Sequence, residues 1–230
     1  MKTLIVIPAY NEAESIEKVV NNIIENYPQY DYVVVNDGSR DATRKICLSN
    51  KYNLLDLPVN LGLAGAIKSG FKYANFNQYD YVVQIDGDGQ HDPAYIDVML
   101  KKMEETGSDI VIGSRFVSVP KNHSLRMLGN NLIEFLIWLT THQKITDPTS
   151  GMRLFNKKMI KRFGYRMNYG PEPDTLAFLI NNKVKITEVQ VEMKDREFGT
   201  SYLSFTRSII YMLHMVYGIL LFQWVRKKED

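Results

Sequence analysis

The stretch at residues 81–93, YVVQIDGDGQHDP, decides how the rest of the chain is read. It begins as an apolar strand and ends in Asp86, Asp88 and Asp92, with Gly87 and Gly89 between them. Side chains two residues apart in an extended chain point the same way, so Asp86 and Asp88 share a side. Carboxylates this close repel one another, and a positive partner is expected among them. The two glycines let an ion or a ligand approach the backbone. Hard oxygen donors at this spacing suit Mg²⁺ or Mn²⁺, which also takes diphosphate oxygens. An acidic turn is the alternative reading, since Asp and Gly are common turn residues.

Outward from this stretch the chain has a regular rhythm. TLIVIPA (3–9) reads as a strand, and NEAESIEKVVNNIIENY (11–27) has helical spacing at Ile16, Val19, Val20, Ile23 and Ile24. Strand DYVVVND (31–37) leads to helix SRDATRKICLSNKY (39–52), which opens on Ser39 or Asp41 as cap. NLLDLPVN (53–60) is a third strand and GLAGAIKSGFKYANF (62–76) a third helix. YVVQID (81–86), helix PAYIDVMLKKMEET (93–106) and strand DIVIGSRF (109–116) complete the series. This alternation predicts an α/β fold with a mostly parallel sheet and helices on both faces. Ligands of such sheets bind beyond the carboxyl ends of the strands. The polar clusters PAYNE, NDGS, DGDGQ and GSR all fall there, and one ligand with several functional groups accounts for them together.

Composition narrows the function classes. Among 230 residues, Lys+Arg 28 against Asp+Glu 26 gives a net charge of +2, which argues against a general nucleic-acid binder. The single Cys47 excludes an internal disulfide and fits a reducing compartment. The first apolar run is too short for a signal peptide and is interrupted by Pro8, Asn11 and Glu12. In NDGSRD, Asp37 can accept from a base or ribose, while Ser39 reads better as a helix cap. NLGLAGAIKSG (60–70) lacks G-x-G-x-x-G, and no phosphate P-loop is present. Its glycines Gly62, Gly65 and Gly70 are read as close packing of a helix on the sheet, with a small ligand contribution from the loop.

Seven motifs in order, IPAYNEAESI, VVVNDGSRDAT, NLGLAGAIKSGF, QIDGDGQHDP, IGSRF, DPTSGMRLF and VEMKDREFGTSYL, resemble family 2 glycosyltransferases of the GT-A fold. They are most similar to the branch that contains dolichol-phosphate mannosyltransferase and bacterial polyprenyl-phosphate glycosyltransferases. The likeness covers about residues 3–203. It implies a nucleotide-sugar donor, a divalent metal, Mg²⁺ or Mn²⁺, and inversion at the anomeric carbon. Nucleotide-sugar contacts are implied for Pro8, Ala9, Tyr10, Glu12, Asp37, Gly62, Asp86 and Gly87, and metal ligation for Asp86, Asp88 and Gln90. Acceptor-phosphate contacts are implied for Arg115, Arg126, Arg153, Arg196 and Ser201, because the arginine fork matches phosphate oxygens. Catalytic roles are implied for Asp88, Arg115, Arg196 and Asp174. His91 is expected as a neighbour of the metal site rather than a ligand. The motif usually read DDGS is NDGS here, so nucleoside binding is carried onto Asp37 more firmly than onto Asn36.

The acceptor sets the mechanism. A phosphate monoester is already anionic near neutral pH and attacks without a strong base. A hydroxyl acceptor needs one, and Asp147, Glu172 and Asp174 are the candidates. Asp147 reads equally as a partner of Arg153 or a turn cap. Two apolar stretches concern the membrane. Residues 124–141 place Leu125, Leu128, Leu132, Phe135, Leu136 and Leu139 on one helical face. Residues 204–228 are apolar almost all round, interrupted by His214 and Gln223, and barely reach the roughly 17 residues needed to cross a bilayer. An interfacial or oligomer-forming helix is expected there, with Trp224 at headgroup level.

The expectation is a GT-A catalytic domain at 1–203 and an amphipathic C-terminal helix at 204–230. It would be peripheral on the cytoplasmic face of the cell membrane, with polyprenyl phosphate as acceptor. A small integral membrane protein and a second copy of the chain are the further partners considered. The competing readings are transfer to a saccharide hydroxyl, a sugar-phosphate nucleotidyltransferase, and a non-catalytic regulatory subunit. The nucleotidyltransferase reading expects a basic Gly-rich loop after the first strand, where PAYNEAES is acidic.

Overall fold

β1 (Thr3–Ala9) is buried along its whole length, as the unbroken run TLIVIPA requires of a strand covered on both faces. It pairs in parallel with β2 (Asp31–Asn36) and with β4 (Tyr81–Gln84), and β3 (Leu54–Asp56) extends the sheet beyond β2. The computed structural model describes residues 1–121, 124–166, 170, 172–194 and 205–222, without the side chains of 125, 126, 205–209 and 222. Among these, one sheet runs in the order β3-β2-β1-β4-β6-β5-β7, with β5 at Ile110–Ser114, β6 at Arg153–Asn156 and β7 at Ile186–Gln190. β5 and β7 are parallel, whereas β6 lies antiparallel between β4 and β5.

That reversed strand positions the site. Because β6 runs backwards, its first residue, Arg153, pairs with Gln84 near the carboxyl end of β4 and with Ile112 of β5. The preceding loop, DPTSGM (147–152), is thereby delivered to the same rim as DGDGQ and GSR.

Helices cover both faces and divide the core in two. On one face lie α1 (Ile16–Asn26), α2 (Thr43–Ser49) and α4 (Ile96–Thr106), burying Ile16, Val20, Cys47, Ile96 and Met99 against Ile5, Ile7 and Val83. Burial pushes the Cys47 thiol up to about 11, so it acts as a small core side chain. The other face carries α3 (Gly62–Phe76), α5 (Leu125–Thr141), α6 (Lys157–Lys161), α7 (Pro173–Asn181) and α8 (Phe205–Tyr217). Gly70 of α3 lies so close to β1 that a Cβ there would collide with Val6. The third strand is shorter than the stretch 53–60, and α1 begins only at Ile16 because the Ser15 and Ile16 amides turn back onto the Glu12 carbonyl.

α5 and α8 pack against each other and turn apolar residues outward. Leu128, Leu132, Phe135, Trp138 and Leu139 of α5 are exposed, as are Ile210, Leu213 and Tyr217 of α8 and Leu220 and Leu221 in the π-helical turn at 218–222. Leu136, expected on the same face, points inward with Ile133 and Ile137. Met215 and Ile219 anchor the C-terminal helix in the core. Among the described residues, no helix is long and apolar enough to cross a membrane.

Candidate active site

The tips of β1, β2 and β4 meet at one rim. The Asp37 amide donates to the Ala9 carbonyl, and buried Asp37 accepts from the Leu61 amide at 2.7 Å, fastening the NDGS turn to the start of α3. Gly38 has φ +64°, and a Cβ there would strike the backbone of Val59 and Asn60, so only glycine closes this turn. Gly62 follows at φ +75° with open space at its Cβ position. A Cβ on Gly87 would meet the Pro8 carbonyl oxygen at 3.2 Å and Glu12 Cγ at 3.5 Å, which puts the acidic loop against PAYNE. Glu12 also accepts from Ser15 Oγ, while Tyr10 projects outward. Of the expected nucleotide-sugar residues, Pro8, Ala9 and Glu12 lie against Gly87, which Asp86 precedes, while Asp37 is bonded to Ala9 and to Leu61, the residue before Gly62.

Asn36 has a definite structural partner. Its amide nitrogen donates to Asp56 Oδ1 at 2.7 Å, and Arg44 Nε donates to Asp56 Oδ2 at 2.6 Å. Burial works to raise the Asp56 carboxyl, but the bonds from Arg44 and Asn36 outweigh it and hold it below its ordinary value.

The acidic loop is braced from within. The Asp86 amide donates to His91 Nδ1 at 3.1 Å, so buried His91 props the loop with this nitrogen as acceptor. Asp88 accepts from the Gln90 amide at 3.1 Å, and Gln90 exchanges bonds with the backbone of Lys194 through its own carbonyl and its side-chain nitrogen. Among the described residues no three His, Cys, Asp or Glu side chains form a self-contained cage. A Mg²⁺-type ion asks for less, one or two carboxylates completed by substrate phosphates and water. Asp86 and Asp88 are hard donors of that kind, and Gly151 approaches so closely that a Cβ there would overlap Asp86 Oδ2. These residues fit such an ion. A groove of ≈460 Å³ opens beside Asp88, bordered by Lys18, Asn22 and Lys194.

Glycosyl transferase family 2 is matched over residues 4–164. The chain belongs to glycosyltransferase family 2. It is 28% identical over 220 residues to a polyprenol monophosphomannose synthase of Mycolicibacterium smegmatis, covering 88% of this chain and 81% of that one. It is 30% identical over 218 residues to a UDP-N-acetylglucosamine–dolichyl-phosphate N-acetylglucosaminyltransferase of Methanococcus voltae, covering 85% and 86%. Glucosyl-3-phosphoglycerate synthase of Mycobacterium tuberculosis, crystallised with Mn²⁺, UDP and phosphoglyceric acid, superposes with a TM-score of 0.70. That likeness, at 16% identity over 99% of this chain and 80% of that one, identifies the shared fold as GT-A.

In this family 2 glycosyltransferase the arginines at the rim are not equivalent. Arg115, just past β5, grips fully buried Asp147 with two parallel bonds, Nε to Oδ2 at 2.7 Å and Nη2 to Oδ1 at 2.9 Å. Its side chain keeps 21% exposure. Arg153 is buried and donates to the carbonyls of Ser150 at 2.9 Å and Pro148 at 2.8 Å, tying down the loop that carries Asp147. Burial pulls the Arg153 guanidinium down from its ordinary value, opposed first by the charge of Glu172 and then by Tyr211, Asp147 and Asp86. Arg126 lies on α5, with its side chain outside the described set, and Arg196 and Ser201 lie outside the described residues.

The candidate bases are engaged. Glu172 accepts from the Tyr211 hydroxyl of α8 at 2.8 Å, and burial followed by the Glu172 charge pushes that phenol up. Asp174, in the first turn of α7, is buried where a Cβ on Gly218 would meet its own Cβ at 2.8 Å. Two buried side-chain oxygens, Gln84 Oε1 and Thr175 Oγ1, have no partner within the described structure.

Three residues essential to this geometry carry weak sequence signals. Glu188 of β7 accepts from the amides of Thr146 and Asp147, at 2.8 and 3.0 Å, and from the Thr146 hydroxyl. Burial pushes its carboxyl up against those bonds. Asn130 reaches Asp147 from α5, and Tyr211 reaches Glu172 from α8. For Asn130 and Tyr211 the available hint is a polar group within a mostly apolar helix.

Proposed function

We propose that this family 2 glycosyltransferase transfers one sugar, with inversion, from a nucleotide-sugar donor to the phosphate of a polyprenyl phosphate. The observation that carries the reading is the engagement of all three candidate bases. Asp147 is held by Arg115, Glu172 by Tyr211, and Asp174 is packed beneath Gly218. A hydroxyl acceptor would need one of them to take its proton. A phosphate monoester, with a second pKa of about 6, arrives deprotonated and needs none. The two relatives named for polyprenol and dolichyl phosphate acceptors support the same choice.

In this reading an acceptor phosphate oxygen forms the new bond to the anomeric carbon while the bond to the diphosphate oxygen breaks. The electron pair leaves with the nucleoside diphosphate. Pro8, Ala9, Tyr10, Glu12, Asp37, Gly62 and Gly87 surround the donor, and Asp86, Asp88 and Gln90 hold Mg²⁺ or Mn²⁺. When bound, that ion supplies charge stabilisation for the departing diphosphate. Arg115 meets the acceptor phosphate with the edge of its fork that Asp147 leaves open. Arg126, Arg196 and Ser201 join it, while Arg153 serves by holding the loop beneath. The catalytic machinery belongs to residues 1–203, and the C-terminal segment 204–230, through α8, lies with α5 on the cytoplasmic membrane surface. The outward apolar residues of both helices support this placement.

The test is a transfer assay on purified protein with polyprenyl phosphate and a panel of UDP-, GDP- and dTDP-sugars, with Mg²⁺, with Mn²⁺ and with EDTA. A metal-dependent glycosyl phospholipid is expected. Nucleotide release without lipid product, stimulated by saccharides instead, would move the acceptor to a hydroxyl and overturn the reading.

A further inference from the structure

We propose that Asn130 is a positioning residue through which α5 sets the aim of Arg115 at the acceptor phosphate. The inference rests on the lipid-phosphate reading and adds to it a residue outside every motif of the sequence. Asn130 is buried at 3% exposure. Its amide nitrogen donates to Asp147 Oδ1 at 3.2 Å and to Thr149 Oγ1 at 2.9 Å, and its carbonyl oxygen accepts from Lys121 Nζ, which also bridges to Glu134 one turn along. Asp147 in turn orients Arg115 through both carboxylate oxygens and also accepts from its backbone amide.

A guanidinium has five N–H donors in a fixed plane. With one edge committed to Asp147, the plane is set and the remaining donors face a single direction. Asp147 has no solvent exposure, so its own orientation depends on the donors around it. Among the described residues of α5, Asn130 is the side chain bonded to it. At about 100° per residue, Asn130 lies roughly 200° around the helix from Leu128. One helix therefore carries the exposed residues Leu128, Leu132, Phe135 and Leu139 on its outer side and the support of Arg115 on its inner side. The seating of α5 and the geometry at the acceptor phosphate are linked through one amide.

The experiment is steady-state kinetics on the full chain with polyprenyl phosphate in detergent micelles, varying donor and acceptor separately. Asn130→Ala, Asn130→Asp and, as control, exposed Asn131→Ala are compared. Removing one buried bond to a carboxylate should raise the acceptor KM of N130A by about 5- to 30-fold with the donor KM unchanged. N130D sets a second carboxylate against Asp147. It regains the donor only when protonated, so its kcat/KM relative to wild type should rise as pH falls from about 8 to about 6. A purely structural role would lower thermal stability and leave both the KM split and this pH trend absent; that result, or equal changes in both KM values, overturns the proposal. Wild-type protein that forms no lipid product would overturn the lipid-phosphate reading and this proposal with it. An active wild type with unaltered variants removes the role of Asn130 alone.

Discussion

Restoring the acid that this motif usually carries, Asn36→Asp, should destabilise the protein at neutral pH and spare it in acid. Asn36 is 1% exposed and donates to Asp56 Oδ1 at 2.7 Å. In the variant two carboxylates face each other with charge centres about 4 Å apart, a repulsion of about 4 kcal/mol at an effective dielectric near 20. The protein has an alternative, which is to bind a proton. The introduced carboxyl, once protonated, donates to Asp56 much as Asn36 does. At pH 7 this costs about 1.4 kcal/mol for each of the roughly three pH units above an ordinary carboxyl pKa, again about 4. The partial exposure of Asp56 and its bond to Arg44 relieve part of the repulsion, so a loss of about 2–3 kcal/mol is expected. The raised pKa belongs to the folded state, so stability is retained at low pH and lost as pH rises above the ordinary carboxyl value. At pH 5 the proton route costs only about 1.5 kcal/mol. Thermal unfolding at pH 7.5 and pH 5 measures both, with a fall in Tm of about 4–12 °C expected at the higher pH. The double variant N36D/D56N, which swaps the acid and the amide, should recover most of the loss. A variant as stable as wild type at pH 7.5, or equally weakened at both pH values, would refute the assignment of Asn36 to Asp56.

Four other perturbations probe the site and its surroundings. Asp88→Asn should lower kcat by about 100-fold or more and raise the metal concentration needed for half-maximal activity, measured by Mn²⁺ titration of transfer. Gly151→Ala would bring a methyl group against Asp86 Oδ2 and to 3.0 Å from His91 Cε1, so Asp86 must shift; donor kcat/KM should fall about 10-fold while the fold, followed by circular dichroism, persists. Tyr211→Phe leaves Glu172 without its 2.8 Å donor and should cost about 1–2 kcal/mol of unfolding free energy in urea melts. The pair Leu132→Glu and Phe135→Glu places charge on the outward face of α5; sedimentation with anionic vesicles should drop sharply while donor hydrolysis in solution is unchanged.

Much of the first half of the molecule was legible because its signals are local. The helix 62–76 has its expected ends, and β1, β2 and β4 announce themselves as apolar runs ending in polar tips. β6 offered no such signal. Four residues cannot display a period, and nothing near Arg153 states that the strand runs backwards. The consequences were equally hidden. Asp147 meets Arg115, 32 positions earlier in the chain, whereas Arg153 turns into the core. Leu136 of α5 is apolar like its neighbours, and only the placement of the helix on the sheet decides that it faces inward while Leu132 and Leu139 do not.

The loop 147–153 explains why the motif DPTSGMR is compact while its partners are scattered. Asp147 takes Arg115 from β5 and Asn130 from α5, and the backbone around it is clasped by Glu188 of β7. Ser150 donates to the Gly113 carbonyl at 2.5 Å, and Gly151 leaves room for Asp86. Arg153 closes the loop on itself through two carbonyls while Glu172, linked to α8 by Tyr211, supplies a compensating charge. The residues of the loop thus meet several elements between them, so the motif's chemistry can be recognised locally but its meaning depends on contacts from β4, β5, β7, α5 and α8. An isolated buried arginine would be costly, and Arg153 is tolerable because the carbonyls and acids around it are fixed. The same fixing sets the plane of the Arg115 guanidinium before any substrate arrives, and donors already in place need no rearrangement as charge moves.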